Sequence, residues 1–182
     1  MSPYAYLILA AGTLLWVAPF LLAIRTGGSP LMIDRRARWG VALEFVAYTL
    51  LWQGSFWLRP LEPWRMAAAA LSLALACLLS WTGLRALGKQ WRVDAALSQD
   101  HQLVKAGPYR IVRHPIYTSM LCLLLGTGLL LATLWMLAIA LALFLAGTEI
   151  RVRIEDELLA SRFGASFAQY KRAVPAYLPF VR

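Results

Sequence analysis

Charged residues are scarce in this sequence, and acidic residues are half as numerous as basic ones. Only 15% of the 182 residues are charged and 60% are hydrophobic, whereas soluble domains carry about 25% charged and about 45–50% apolar residues. The composition therefore excludes an ordinary soluble domain. Because a membrane-spanning helix needs roughly 20 residues, the chain length predicts a single bundle of membrane helices.

Cysteines are also few, and the common catalytic motifs are absent. Cys77 and Cys122 both lie in apolar runs, which indicates neither a disulfide framework nor a metal site. The sequence has no GxxxxGK(S/T), no HExxH, no GxSxG and no strand-associated GxGxxG. We therefore expect no bound metal. Gly126-Thr127-Gly128 is interpreted as a set of small residues that allows close helix packing.

Five apolar segments are predicted to cross the membrane, at about residues 4–24, 40–58, 66–87, 116–131 and 134–148. Little more than Ala132-Thr133 separates the last two, which permits only a tight antiparallel hairpin. The fifth segment is predicted to continue as a helix beyond the membrane and to end at Phe163-Gly164, where the glycine suits a C-terminal cap. The predicted fold class is all-α, an integral membrane bundle of five transmembrane helices.

Basic residues predict the orientation of this bundle. All Lys and Arg except Arg59 and Arg65 lie between spans one and two, in the last turn of span three or between spans three and four, or after span five. By the positive-inside rule these segments are cytoplasmic, so the N-terminus is outside and the C-terminus is cytoplasmic. Because the net charge of +9 is explained by topology, we expect no nucleic-acid partner. No basic n-region or cleavage pattern accompanies the first apolar run, so we expect it to be retained.

Residues 107–117, which we call the hinge, place polar side chains directly before the fourth span. Pro115 suits the first turn of a helix, and Arg113 could simply contact lipid phosphates. Neither explanation accounts for His114, or for Tyr109 and Tyr117 on either side of it. The hinge is therefore predicted to contribute to a site for a polar ligand.

The helix that follows the fifth span carries charges at helical spacing. Arg151 and Glu155 are four residues apart, as are Glu149 and Arg153. One interpretation is intrahelical ion pairing on a solvated surface. The other is that Arg151 orients an anionic substrate and Glu155 accepts hydrogen bonds from a ribose diol. Since the hairpin folds this helix back beside the hinge, both segments are expected to form one site.

Two polar residues lie inside the second predicted span, Glu44 and Gln53. Ionisable groups within a membrane segment are functional candidates by default. Glu44 is near the end of its span, however, and an equally simple interpretation is that it faces water or the preceding basic loop.

Several motifs in the second half of the chain occur in a fixed order. They are His101-Gln102-Leu103-Val104, Gly107-Pro108-Tyr109, Arg113-His114-Pro115-Ile116-Tyr117, Arg151, Glu155-Asp156, Phe163-Gly164 and Tyr170-Lys171-Arg172-Ala173-Val174-Pro175. With an apolar hairpin before Arg151, this order closely resembles the isoprenylcysteine carboxyl methyltransferase family, over about residues 87–180. The resemblance implies an integral membrane enzyme without a Rossmann domain. Such enzymes transfer a methyl group from S-adenosyl-L-methionine to a lipophilic acceptor reached from the bilayer.

The resemblance also implies roles for individual residues. Arg151 falls at the position of a substrate-orienting arginine, and Arg151 and Glu155 are the expected catalytic residues. The residues expected to bind the cofactor are His101, Gln102, Leu103, Val104, Tyr109, Arg113, His114, Pro115, Ile116, Tyr117 and Glu155. Asp156 stands where a second glutamate is usual, and Asp94 where a cofactor-contacting glutamine can occur. We expect residues 1–87 to be a transmembrane scaffold and residues 88–182 to be the catalytic region, with a cytoplasmic cofactor pocket.

The methyl acceptor is left open by the residues themselves. A carboxylate needs only an arginine to hold it, whereas a phenol or thiol would require a base such as Glu155, Glu149 or His114. The family name makes the carboxylate of an isoprenylcysteine-like substrate the first candidate, with a phenol or quinol lipid as the alternative. Two other functions remain open: an NADPH-dependent sterol-type reductase with a similar helical arrangement, and a non-enzymatic membrane scaffold. The expected partners are a lipophilic or lipidated substrate and membrane lipid, and the oligomeric state is open.

Overall fold

The computed structural model of the protein describes residues 2–23, 32–54, 61–88, 91, 96–97 and 102–179. The five α-helices in these ranges are α1 (Pro3–Ala23), α2 (Ala37–Leu50), α3 (Pro63–Leu87), α4 (Pro115–Leu131) and α5 (Leu134–Ala173). A short 3-10 helix, Gly107–Arg110, lies in the hinge. Two strands of two residues each, β1 (Met32–Ile33) and β2 (Ala96–Leu97), pair antiparallel with Met32 opposite Leu97. The helical character of the bundle confirms the all-α part of the predicted fold class.

Three of the helices are long and apolar enough to cross a membrane, namely α1, α3 and α5. Helix α4 is apolar but has only 17 residues. Helix α2 has 14 residues and at 1.5 Å per residue is about 21 Å long, which is less than the roughly 30 Å hydrocarbon core. Part of the second predicted span, residues 55–58, lies outside the described residues.

The predicted hairpin between the last two spans is present. Helix α4 ends at Leu131, and Ala132 and Thr133 are both extended. The Thr133 hydroxyl caps α5 by accepting a hydrogen bond from the Met136 N–H at 3.4 Å. Helix α5 has 40 residues, and the part before Gly164 alone is about 45 Å long at 1.5 Å per residue, which exceeds the roughly 30 Å hydrocarbon core of a bilayer. Its helical backbone is interrupted at the predicted position, Gly164, where φ is 49°.

The bundle is held together by two main helix pairs, α3 against α4 and α2 against α5, with α1 packed on α3. Glycines allow the close approaches. A Cβ at Gly126 would lie 2.7 Å from Leu73 Cγ on α3, which confirms that this glycine serves helix packing. Between α2 and α5, a Cβ at Gly40 would lie 2.5 Å from the Gly147 carbonyl oxygen, and one at Gly147 would lie 2.6 Å from the Gly40 carbonyl oxygen. The part of α5 around Gly147 is thereby fixed against α2 as well as beside the hinge.

Candidate active site

The C-terminal segment, residues 174–177, lies along the hinge and covers it. The backbone N–H of Arg113 donates to the Pro175 carbonyl and that of His114 to the Ala176 carbonyl, each at 2.8 Å. The Thr118 hydroxyl donates to the Tyr177 carbonyl at 2.7 Å. These bonds satisfy backbone groups that the irregular hinge cannot pair within itself. Residues 112–115 and Tyr117 of the hinge are therefore buried, whereas Gly107, Arg110 and Ile111 are exposed.

Asp156 on α5 is the centre of a buried ion-pair cluster. Its carboxylate lies 2.9 Å from Arg113 Nη2, 3.1 Å from His114 Nε2 and 3.0 Å from Lys171 Nζ. Burial acts to raise the pKa of Asp156, but the hydrogen bond and charge of His114, together with Lys171 and Arg113, hold that pKa far below its usual value. The cluster joins the hinge, α5 and the last turn before the C-terminal segment.

Arg113 has a structural position that the sequence did not indicate. Its side chain is buried, and besides Asp156 it binds the carbonyls of Val174 at 2.5 Å and Lys171 at 3.2 Å. The interpretation that Arg113 contacts lipid phosphates is therefore wrong. Its cofactor contact stays a prediction.

His114 connects the Asp156 cluster to Glu155. Its Nδ1 lies 3.2 Å from Glu155 Oε2 while its Nε2 faces Asp156. Both ring nitrogens can donate only in the imidazolium form. Burial acts to lower the pKa of His114, but the hydrogen bonds to Asp156 and Glu155 outweigh it and the pKa is raised. The two contacts and the raised pKa both favour the imidazolium form of His114 between the two carboxylates.

Glu155 completes the contact between the hinge and α5. It accepts a hydrogen bond from the Tyr117 hydroxyl and one from His114. Burial acts to raise the pKa of Glu155, but His114, Arg151 and Tyr117 lower it below its ordinary value. The side chain is still 25% exposed. Glu155 is therefore an ionised carboxylate with one side accessible to a ligand.

Arg151 is paired with a residue from another helix. Its Nη1 lies 2.8 Å from Oε2 of Glu44 on α2, and the Thr148 hydroxyl donates to Glu44 Oε1 at 3.1 Å. The guanidinium carbon also lies 4.8 Å from the Tyr117 ring centroid, within cation–π range. Because Glu44 is only 3% exposed, the interpretation that it faces water is wrong.

The two i, i+4 pairs on α5 therefore behave differently. Arg153 and Glu149 form the intrahelical ion pair that the spacing indicates, at 2.8 Å. Arg151 instead reaches Glu44, while Glu155 reaches the hinge. The structure thus brings together Arg113, His114, Tyr117, Arg151 and Glu155, as the sequence predicts.

The remaining residues predicted to bind the cofactor lie in the hinge and in the segment before it. Tyr109 is buried, and its carbonyl accepts a hydrogen bond from the Tyr170 hydroxyl at 2.6 Å. Pro115 is buried and Ile116 is half-buried, whereas of the preceding segment Gln102 is exposed and Leu103 and Val104 are half-buried. His101 lies outside the described residues.

Sequence reasoning did not predict the contacts of two residues of the site, Glu44 and Asp156. A signal for Asp156 was available, because Thr148, Val152 and Asp156 are spaced by four and lie on one buried face of α5. No comparable pattern singles out Arg151 as the partner of Glu44, since these residues are 107 positions apart.

Comparison with known proteins gives matches to the same part of the chain. A model of the isoprenylcysteine carboxyl methyltransferase (ICMT) family matches residues 68–161. The cobalt-zinc-cadmium resistance protein CzcN of Cupriavidus metallidurans is 34% identical over 150 residues, which cover 78% of this chain and 62% of CzcN. The protein-S-isoprenylcysteine O-methyltransferase of Schizosaccharomyces pombe is 36% identical over 90 residues, which cover 49% of this chain and 38% of that enzyme.

The chain thus spans less than two thirds of the length of these relatives. The matched region nevertheless contains the hinge, the hairpin and the part of α5 that carries Arg151, Glu155 and Asp156. Because the family model covers slightly more than half of the 182 residues, the chain belongs to the isoprenylcysteine carboxyl methyltransferase family.

Proposed function

We propose that this protein is an S-adenosyl-L-methionine-dependent methyltransferase that acts on a lipophilic acceptor at the cytoplasmic face of the membrane. The observation that carries the proposal is the position of Glu155. It lies on α5, within the family match, and is held by Tyr117 and His114 of the hinge. The two segments to which the resemblance assigns cofactor binding are therefore in direct contact.

The residues at this contact suit the methyl donor. Glu155 offers an ionised and partly exposed carboxylate, which can accept hydrogen bonds from a ribose diol. The Tyr117 hydroxyl holds this carboxylate in place. His114 contacts Glu155 and is itself held by Asp156, and such positioning is what a transfer reaction requires of its site. When bound, S-adenosyl-L-methionine would supply an electrophilic methyl group.

Arg151 is the proposed acceptor-orienting residue, and the carboxylate of an isoprenylcysteine-like substrate is the first candidate acceptor. A carboxylate is already ionised at neutral pH and needs no general base. The guanidinium presents its donors in a planar fork that matches the geometry of a carboxylate, and its Nη1 pairs with Glu44. The packed helices around the site would exclude water and strengthen these electrostatic contacts.

The membrane arrangement belongs to the same proposal. We infer five crossings, with the N-terminus outside and the C-terminus cytoplasmic, because the distribution of Lys and Arg supports that orientation. In this arrangement residues 1–87 are the scaffold and residues 88–182 the catalytic region. The cytoplasmic projection of α5 then carries Arg151 and Glu155 at the level where a lipid-borne acceptor meets a soluble cofactor.

The direct test measures binding of S-adenosylhomocysteine by calorimetry to the full chain in nanodiscs, with NADPH titrated in parallel. Transfer of a tritiated methyl group is then measured to an S-prenylcysteine, an alkylphenol and a fatty acid. We expect S-adenosylhomocysteine to bind and NADPH not to bind. Folded protein that binds only NADPH would instead indicate the reductase function, and folded protein that binds neither cofactor would refute both.

Arg151→Ala tests the role of the arginine within that reaction. Loss of the acceptor-orienting group should lower turnover by at least about 100-fold, the scale of misplacing a reactant, while the affinity for S-adenosylhomocysteine is kept. Arg153→Ala is the matched control, since Arg153 is on the same helix but exposed and paired with Glu149. Equal turnover in the two variants would refute the acceptor-orienting role of Arg151.

A further inference from the structure

Glu44 belongs to the site although it lies outside the region that the family model matches. The match begins at residue 68, whereas Glu44 is on α2 and contributes both of its carboxylate oxygens. Oε2 pairs with Arg151 and Oε1 accepts from Thr148. The Glu44 side chain is 4% exposed and that of Arg151 is 12% exposed. This is a buried ion pair between two helices, not a surface contact.

The packing of α2 on α5 holds this pair in place. Gly40 and Gly147 lie one helical turn before Glu44 and Arg151, and the two glycine backbones meet without room for a Cβ on either side. Rigid helix packing therefore places the carboxylate at position 44 next to Arg151. Moving it away would leave a buried charge without its partner, which is costly.

The pair changes what Arg151 can recognise. An isolated arginine in this position would strongly favour an acceptor carboxylate, but here Glu44 already offsets its charge. On the other side Arg151 lies over the ring of Tyr117, whose hydroxyl binds the ionised Glu155. Because His114 pairs with Glu155, Glu44 is the carboxylate that directly shares Arg151 with an incoming acceptor carboxylate. Like charges at such close range repel strongly where water is excluded.

We propose that Glu44 is a specificity-determining residue that attenuates the preference of Arg151 for negatively charged acceptors. The proposal rests on the proposed function, because it assumes that Arg151 contacts the acceptor. Glu44 acts through Arg151 and sets the charge balance of the acceptor site. Helix α2 thereby tunes acceptor choice from outside the matched catalytic region.

The test compares two ligands that differ by one charge, N-acetyl-S-farnesylcysteine and its neutral methyl ester. Their dissociation constants are measured for the full chain in nanodiscs saturated with S-adenosylhomocysteine. In Glu44→Gln the side-chain volume and the acceptor for Thr148 are kept while the charge is lost. We expect the dissociation constant of the acid to fall at least about tenfold, equivalent to about 1.4 kcal/mol, while that of the ester stays unchanged.

Glu157→Gln is the matched control, because Glu157 also joins α5 to the start of α2 through Arg36, at 2.9 Å, but is exposed. The ratio of acid to ester affinity should be unaffected in this control. Glu44→Asp withdraws the carboxylate by one methylene and should shift the ratio in the same direction by a smaller factor. This second variant keeps the test valid if Glu44→Gln does not fold.

Three results would overturn the proposal. The first is an unchanged ratio of acid to ester affinity in the folded Glu44 variants. The second is an equal loss of affinity for both ligands in those variants, and the third is that the wild type binds neither ligand. Each is distinct from failure of the proposed function, which would appear as folded wild-type protein that does not bind S-adenosylhomocysteine. A purely structural Glu44 would weaken both ligands together and leave their ratio unchanged.

Discussion

Replacing Asp156 with asparagine should strongly destabilise the site. The substitution keeps the size of the side chain but removes the charge that faces two buried cations, Arg113 at 2.9 Å and His114 at 3.1 Å. Leaving such charges without their partner costs about 3–5 kcal/mol. Lys171 adds little to this figure, because its side chain is 46% exposed and exposed pairs contribute about 0–1 kcal/mol.

This cost translates into a measurable fall in the unfolding temperature. For a chain of this size each kcal/mol shifts Tm by about 2–4 °C, so Asp156→Asn should unfold roughly 6–20 °C below the wild type. The assay is thermal unfolding in one detergent at pH 6, where the raised pKa of His114 and the lowered pKa of Asp156 keep both groups charged. The same variant should lose protection of residues 174–177 from hydrogen exchange, since Arg113 ties that segment to the cluster.

The neighbouring Glu157→Gln provides the comparison for Asp156→Asn, because Glu157 is on the same helix and its ion pair with Arg36 is exposed. That control should change stability by about 0–1 kcal/mol. If the two variants unfold at the same temperature, the Asp156 cluster does not hold the hinge to α5, and the reasoning is refuted.

Two further predictions concern pH and packing. His114 has a raised pKa in the folded state, so its stabilising contribution is complete below its unfolded pKa of about 6.5 and is lost as pH rises through the folded value. The difference in Tm between wild type and His114→Gln should accordingly shrink toward alkaline pH, and a difference that is constant with pH would contradict the assignment. Gly147→Ala should destabilise by about 1–3 kcal/mol, because its Cβ would lie 2.6 Å from the Gly40 carbonyl oxygen. Gly83→Ala, whose Cβ would make only ordinary contacts from 3.7 Å outward, is the control, and an equal loss in both variants would show that the α2–α5 contact is not responsible.

Local rules explain the parts of the structure that could be predicted. The turn at Ala132-Thr133 and the break at Gly164 follow from short connections and from the backbone freedom of glycine. The ion pair between Glu149 and Arg153 follows from helical spacing. Contact between the hinge and the projecting part of α5 follows from chain order, because a tight hairpin must return the second helix beside the start of the first.

The amino-acid sequence by itself thus determined the apolar helices, the hairpin and the two segments that form the candidate site. It did not determine the partners of the charged side chains. Helical periodicity places Arg151 on a face of α5 but does not show which helix packs against that face. A residue four positions away on the same helix could equally be its ion-pair partner. Only the packing of α2 on α5, made possible by Gly40 and Gly147, brings Glu44 to Arg151. Asp156 is likewise an ordinary acid in the sequence. It becomes the centre of a cluster only because the hinge and the last turn of α5 converge on it. The physical reason is that buried charges are stable only where the tertiary structure supplies their counterions.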